Sequence, residues 1–104
     1  MPVRSLFVTQ LYEAELGNGQ LLEDLAHSIR ALANDDEAGK RWSKEHRYAG
    51  YTSYASLNAL PKRDPVIADL AKHLSRHAAS FARELGWGRK PKLDSLWVLS
   101  LIHI

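Results

Sequence analysis

The spacing of apolar residues divides the first third of the chain into a strand and a helix. Residues 6–12 read Leu-Phe-Val-Thr-Gln-Leu-Tyr, a β-branched and aromatic run that predicts a strand over residues 5–13. The turn-prone residues 17–19, Gly-Asn-Gly, interrupt this run. After them, apolar residues recur at the spacing of one helical face, which predicts a helix over residues 19–33. These residues are Leu21, Leu22, Leu25, Ala26, Ile29, Leu32 and Ala33.

A second amphipathic helix is predicted over residues 65–85. Asp64 is a good N-cap and Pro65 a good first helical residue, and Gly86 suits the position that ends a helix. The apolar residues of this segment share one face: Val66, Ile67, Leu70, Ala71, Leu74, Ala78, Phe81, Ala82 and Leu85. The basic residues on the other side are expected in water: Lys72, Arg76 and Arg83.

The remaining segments are an irregular aromatic stretch and a C-terminal strand. Residues 38–63 have no clear period and contain Trp42, Tyr48, Tyr51 and Tyr54, with room for a short strand within residues 51–57. Residues 93–101 are mostly apolar and predict a strand. Alternation puts Trp97 on one face of that strand and Leu96 and Val98 on the other, and either face is a candidate for the core.

These elements predict an α+β fold in which two helices pack on a small sheet. The strands over residues 5–13 and 93–101 are expected to pair, and the helix over residues 65–85 is expected to cover them. The chain has 104 residues, enough for one domain with a modest core.

Composition narrows the possible functions. Fourteen basic and twelve acidic side chains leave a formal net charge of +2, too little to suggest binding to nucleic acid or to a membrane surface. There is no cysteine, so disulfides, zinc–thiolate sites and cysteine nucleophiles are excluded. Without a hydrophobic run of signal-peptide or membrane-spanning length, a cytoplasmic location is expected.

The candidate metal ligands in this sequence are histidines. His73 and His77 are four residues apart on a predicted helix, a spacing that lets two imidazoles share a metal, but the sequence suggests no third ligand. Ordinary histidines at the boundary of the apolar face are the favoured interpretation. His27 and His46 have no partner at a recognisable spacing. We therefore predict no metal ligand and no catalytic residue in this chain.

The aromatic stretch admits two interpretations. Its rings either fill the gap between the helices and the sheet or form the wall of a pocket. Basic residues nearby are either a solvated surface or a contact for an acidic ligand: Lys62, Arg63, Arg89, Lys90 and Lys92. In both cases the first interpretation is the more common one in proteins.

Several stretches, taken together, resemble a bacterial family of the 2-oxoglutarate-Fe(II) oxygenase superfamily. Residues 5–12, Ser-Leu-Phe-Val-Thr-Gln-Leu-Tyr, resemble its opening strand. Trp42-Ser43 and residues 48–57, Tyr-Ala-Gly-Tyr-Thr-Ser-Tyr-Ala-Ser-Leu, resemble its aromatic segment. Asp64-Pro65 and residues 93–98, Leu-Asp-Ser-Leu-Trp-Val, resemble the long helix and first core strand that follow. The resemblance covers nearly all of residues 5–98.

The resemblance implies that residues 1–98 are the N-terminal portion of a double-stranded β-helix, or jelly-roll, oxygenase. In such enzymes two histidines and usually a carboxylate bind Fe(II), leaving positions open for 2-oxoglutarate and oxygen. The family's metal-binding segment follows the Ser-Leu-Trp-Val piece. The parent enzyme is thus expected to use Fe(II) and 2-oxoglutarate on an unknown substrate. Tyr51, Tyr54 and Trp97 are expected to lie nearest its pocket.

Residues 99–104 depart from the family pattern. Their sequence, Leu-Ser-Leu-Ile-His-Ile, matches the translation of a transposon-end adapter used for sequencing libraries, and an adapter-derived tail on a truncated reading frame is the expectation. His103 is therefore not considered an iron ligand. The fragment is predicted to be inactive by itself, to leave an apolar face uncovered and to be marginally stable. The alternative is a complete, non-enzymatic α+β binding module that uses residues 48–54 and the basic loop 89–92.

Overall fold

The computed structural model describes residues 2–17 and 19–100, which form a small α+β protein. Within these ranges there are four helices and one two-stranded antiparallel sheet. In chain order the elements are α1 (Gly19–Asp35), α2 (Glu37–Glu45), β1 (Tyr51–Thr52), α3 (Leu60–Arg63), α4 (Pro65–Glu84) and β2 (Leu99–Ser100). The radius of gyration is 17.8 Å, whereas a compact domain of this length has about 13 Å, so the molecule is elongated.

The two predicted helices are confirmed. α1 extends two residues beyond the expected end, and α4 matches the predicted span to within one residue. The Asp64 side chain accepts hydrogen bonds from the backbone N–H groups of Val66 at 2.8 Å and Ile67 at 3.2 Å, as an N-cap should. Gly86 has a φ of +77°, the left-handed conformation typical of the residue that ends a helix.

The predicted sheet is wrong in its pairing. Residues 2–17 contain no strand, and β2 pairs instead with β1, in the register Tyr51 opposite Ser100 and Thr52 opposite Leu99. A strand needs a partner for its backbone hydrogen bonds, and strand propensity in residues 5–13 does not supply one. Of residues 93–100, only the last two are in a strand. The short strand expected within residues 51–57 is confirmed by β1.

Helices α2 and α3 lie within the stretch that the apolar pattern left irregular. Asp36 is the N-cap of α2, and its side chain accepts a hydrogen bond from the Gly39 N–H at 3.0 Å. Pro61 lies in the first turn of α3. Helix α2 packs on β1 more closely than α4 does, which corrects the expectation that the helix over residues 65–85 covers the sheet.

The core lies between α1, α4 and the sheet. Its buried apolar residues are Leu21, Leu25, Ala33, Tyr51, Leu60, Ile67 and Val98. Val98 is buried and Leu96 packs against this cluster, whereas Trp97 is 45% exposed. Of the two candidate faces of residues 93–98, the one with Leu96 and Val98 therefore faces the core.

The N-terminal segment, residues 2–17, runs along the surface. Its apolar side chains are largely exposed, and Phe7 is 99% exposed with a φ of +58°. Tyr12 and Leu16 are the half-buried side chains of this segment. The expected adapter-derived tail is described only at Leu99 and Ser100, and residues 101–104 lie outside the described part of the chain.

Candidate functional site

A buried carboxylate, Asp36, organises the aromatic stretch. Its Oδ2 accepts hydrogen bonds from the Tyr51 hydroxyl at 2.6 Å and from the Ser56 hydroxyl at 2.5 Å, while its Oδ1 accepts from the Gly39 N–H. These bonds link the beginning of α2 to β1 and to the turn that follows β1. A carboxylate buried this far from water requires such donors, because an unpaired charge in the interior is costly.

The pKa shifts of this pair oppose acid–base chemistry at Asp36 and Tyr51. Burial by itself would raise the pKa of Asp36, but hydrogen bonds from Ser56, Tyr51 and Gly39 and the positive charge of Arg63 together lower it below its ordinary value. Burial, hydrogen bonding to Asp36 and the negative charge of Asp36 all raise the pKa of Tyr51 far above its ordinary value. Asp36 is thus held ionised and Tyr51 protonated, an arrangement suited to bracing the fold.

Gly39 makes room for this carboxylate. A Cβ at position 39 would lie 2.6 Å from the Ser56 Oγ and even closer to the Asp36 Oδ2. Contacts this short force neighbouring atoms to move, so any larger residue would disturb the hydrogen bonds of Asp36. The close approach of α2 to the aromatic stretch therefore depends on a residue without a side chain.

A second set of hydrogen bonds joins the aromatic stretch to residues 93–98. The Val98 N–H donates to the Ser53 Oγ at 2.8 Å, and the Ser53 N–H donates to the Val98 carbonyl oxygen at 3.0 Å. Ser53 is completely buried. Next to it, the Thr52 N–H donates to the Ser43 Oγ at 3.2 Å, which ties the same segment to α2.

These contacts bring Tyr54 and Trp97 together at the surface. Their ring centroids lie 5.4 Å apart at an interplanar angle of 73°, an edge-to-face arrangement. Trp42 extends the row, with its ring 6.4 Å from Tyr54 and stacked on His46 at 4.2 Å. Tyr54 is 65% exposed, so this aromatic row has faces available to a ligand.

Tyr54 and Trp97 border a groove of about 380 Å³, named here the aromatic groove. It is lined by residues 54, 57–62 and 93–97. Most of the lining is apolar, and Asn58, Lys62, Asp94 and Ser95 add polar and charged groups. Such a groove suits a ligand with an apolar or planar part and a few polar groups.

The structure brings together two of the three residues expected near a pocket. Tyr54 and Trp97 are in contact at the aromatic groove. Tyr51 lies away from this groove, is only 3% exposed and directs its hydroxyl to Asp36. The Tyr51 side chain can therefore affect a ligand in the aromatic groove only indirectly, by holding the neighbouring residues in position. Arg89, Lys90 and Lys92 of the basic loop are exposed.

The four histidines that the structure describes do not gather around a common point with other ligands. Within residues 2–17 and 19–100, no three His, Cys, Asp or Glu side chains are placed to hold a metal ion. His73 Nε2 lies 3.8 Å from Asp69 Oδ1, and His77 Nδ1 is 2.8 Å from the Tyr12 hydroxyl. His46 stacks on Trp42, and His27 is exposed.

The residues that organise this region were not identified from the sequence. The sequence patterns assigned no role to Asp36, Ser53 or Ser56. A usable signal existed for Asp36, because an Asp directly before an acidic first turn, with a Lys in the last turn, is typical of a short capped helix. The roles of the two serines depend on contacts distant in sequence.

Comparison with known proteins gives no assignment: no protein-family model and no curated protein matches this chain significantly. Among the described residues, no helix is long and apolar enough to cross a bilayer.

Proposed function

We propose that this chain is the N-terminal portion of an Fe(II)/2-oxoglutarate-dependent oxygenase of unknown substrate. The observation that carries the proposal is the pairing of Ser53 with Val98. It joins Gly-Tyr-Thr-Ser-Tyr at residues 50–54 to Ser-Leu-Trp-Val at residues 95–98, the two pieces on which the resemblance to this superfamily chiefly depends. Two sequence pieces that form one structural unit are a stronger signal than two separate matches. In the parent enzyme this unit is proposed to lead into the jelly-roll barrel.

Within the proposed enzyme, Tyr54 and Trp97 form one wall of the substrate pocket. Their exposed, edge-to-face rings can contact an apolar or planar substrate, and the aromatic groove beside them can extend the pocket. Tyr51 is hydrogen-bonded to Asp36 and anchors the segment that continues to Tyr54. Its proposed effect on substrate binding is therefore indirect.

We propose that iron is bound outside residues 2–17 and 19–100. Iron of this class needs three protein ligands on one face of the ion, and the described residues offer no such group. When bound in the parent, iron would activate oxygen in a reaction that consumes 2-oxoglutarate. We assign its ligands to the family's metal-binding segment after Ser-Leu-Trp-Val, and we assign no catalytic step to this chain, which we propose to be inactive alone. A cytoplasmic location is proposed because a chain without cysteine suits a reducing compartment.

The proposal is tested with the longer reading frame from the source DNA. If the residues after position 98 encode a jelly-roll with a histidine-rich metal segment, the purified product should convert 2-oxoglutarate to succinate only with Fe(II). DNA that ends in a native stop codon after Ile104, within ordinary genomic sequence, would refute it.

The pocket wall is tested separately in that longer protein. Trp97→Ala should raise KM for the substrate, once it is found, or uncouple succinate formation from substrate oxidation. Trp87→Ala is the matched control, because Trp87 is exposed and does not line the aromatic groove. If Trp97→Ala changes only the melting temperature, the pocket role is wrong.

A second candidate is a complete, non-enzymatic binding module that uses residues 48–54 and the basic loop 89–92. The exposed row of Trp42, Tyr54 and Trp97 favours it, because exposed aromatic side chains are common at protein interfaces. The coding DNA after Ile104 separates the two candidates, since the module requires the native frame to stop there.

A further inference from the structure

One face of α4 carries a row of cationic and hydrogen-bonding side chains. His73, Arg76, His77, Ser80 and Arg83 follow one another at intervals of one or three residues, which keeps them on neighbouring positions of the helix surface. From Arg76 to Arg83 the helix rises about 10 Å, at roughly 1.5 Å per residue. The row is therefore long enough for an extended ligand.

The N-terminal segment turns this face into a groove. The Tyr12 hydroxyl lies 2.8 Å from His77 Nδ1, and the Tyr12 ring lies 5.5 Å from the ring of Phe81. Leu16 continues the wall on this side, and Lys90 borders the groove as well. The groove is open to solvent and has a volume of about 530 Å³, and we name this feature the cationic groove.

The charged side chains that line this groove are cationic. Arg76, Arg83 and Lys90 line it, and none of the lining residues that the structure describes is an aspartate or glutamate. Acidic residues outside the lining include Asp69, whose Oδ1 lies 3.8 Å from His73 Nε2, and Glu13, Glu15 and Glu84, which adjoin lining residues in sequence. This concentration of positive charge contrasts with a formal charge of only +2 for the whole chain.

The donors also have suitable geometry. Guanidinium groups present several N–H donors in a planar fork that matches phosphate oxygens. When the Tyr12 hydroxyl donates to His77 Nδ1, the imidazole keeps its hydrogen on Nε2 and remains a donor. Two arginines, separated by two helical turns, offer anion contacts at both ends of the groove.

We propose that the cationic groove binds a small ligand with two or more phosphate groups. A single phosphate reaches only one end of the row, whereas a linear polyphosphate reaches both arginines and Lys90. This site is independent of the aromatic groove and of the proposed oxygenase function, because it shares no lining residue with that groove.

The test is calorimetric titration of the full 104-residue chain with inorganic tripolyphosphate at low ionic strength. Saturable binding of one ligand per chain is expected, and Arg76→Gln/Arg83→Gln should weaken it by about tenfold, since two exposed ionic contacts are lost. The matched control is Arg41→Gln/Lys44→Gln on α2, which removes the same charge from exposed positions elsewhere. Equal losses of tripolyphosphate affinity in the two variants would show that the net charge of the chain attracts the anion, and would overturn the proposal.

Two further arms define the ligand and guard against misfolding. Orthophosphate should bind at least about tenfold more weakly than tripolyphosphate, and equal affinities would overturn the requirement for two phosphates. If a single-stranded oligonucleotide binds more tightly than tripolyphosphate, the proposal of a small ligand is overturned in favour of nucleic acid.

If the arginine variant fails to fold, amide chemical shifts of the unmodified chain test the proposal instead. Tripolyphosphate must perturb residues 73–83, and perturbation confined to other residues overturns the proposal.

Discussion

The Ser53 hydroxyl oxygen accepts a hydrogen bond from the Val98 N–H at 2.8 Å, although 45 residues separate the two in sequence. Ser53→Ala removes the acceptor of the Val98 N–H. Because Ser53 is completely buried, no water molecule can take the place of its hydroxyl. We expect the free energy of unfolding to fall by about 1–3 kcal/mol, measured by urea denaturation. Ser75→Ala, at an exposed position of α4, should change it by less than about 0.5 kcal/mol. Equal effects of the two substitutions would contradict this role of Ser53.

Acid should weaken the fold through Asp36. Because the folded-state pKa of Asp36 is below the unfolded value of 3.8, its stabilising contribution is complete above that value and is lost as pH falls through the folded-state pKa. Unfolding free energies measured between about pH 2 and pH 6 should therefore rise with pH, and Asp36→Asn should reduce this slope. The matched control is Asp94→Asn, at an exposed position. An unchanged slope in Asp36→Asn would contradict the prediction.

Alkali should weaken the fold through Tyr51. Its folded-state pKa is raised above the unfolded value of 10.0, so its contribution is complete below that value and declines as pH rises toward the folded-state pKa. Tyr51→Phe removes this dependence and also a hydrogen bond to a buried charge, at a cost of about 1.5–3 kcal/mol near neutral pH. Tyr54→Phe, at an exposed position, is the control for both measurements. The prediction fails if the stability of Tyr51→Phe and of the unmodified chain declines equally above pH 10.0.

Gly39 should not tolerate a methyl group. The Cβ of Gly39→Ala would meet the side chains of Asp36 and Ser56 at distances that require those side chains or α2 to shift. Either shift disturbs the hydrogen bonds of Asp36, so a loss of about 1–3 kcal/mol is expected despite the better helix propensity of alanine. Gly88→Ala is the matched control, because nothing lies within 4 Å of its Cβ position. Thermal melting of both variants checks the difference. A Gly39→Ala chain as stable as Gly88→Ala would show that α2 adjusts freely.

Exposed apolar side chains in the N-terminal segment should make the isolated chain prone to associate. Phe7 is 99% exposed and Leu11 is 78% exposed, so neither contributes to the core. Phe7→Ser/Leu11→Gln should reduce light scattering while the unfolding free energy stays within about 0.5 kcal/mol. The marginal stability expected for the isolated chain is checked in the same experiment. A cooperative, high-temperature melt of the unmodified monomer would contradict it.

Local sequence was sufficient for the two long helices. The Asp64 N-cap, the proline after it and the left-handed Gly86 act within one helical turn of the ends of α4, and the apolar period of α1 acts along a single helix. The spacing of apolar residues did not predict α2, because the residues that this helix buries are Gly39 and Ser43 rather than large apolar ones. Its close packing on β1 depends on small size, which the apolar pattern does not detect.

The sequence by itself therefore determined the helices whose signals are local and the α+β class. Tertiary structure alone decided that β2 pairs with β1 and that residues 5–13 remain outside the sheet. It also decided that Asp36 accepts a hydrogen bond from the Tyr51 hydroxyl. The physical reason is that strand pairing and buried polar contacts join groups far apart in the chain. Their free energy depends on which partner the folded chain brings within hydrogen-bonding distance, and a strand-forming segment without such a partner gains nothing from its propensity.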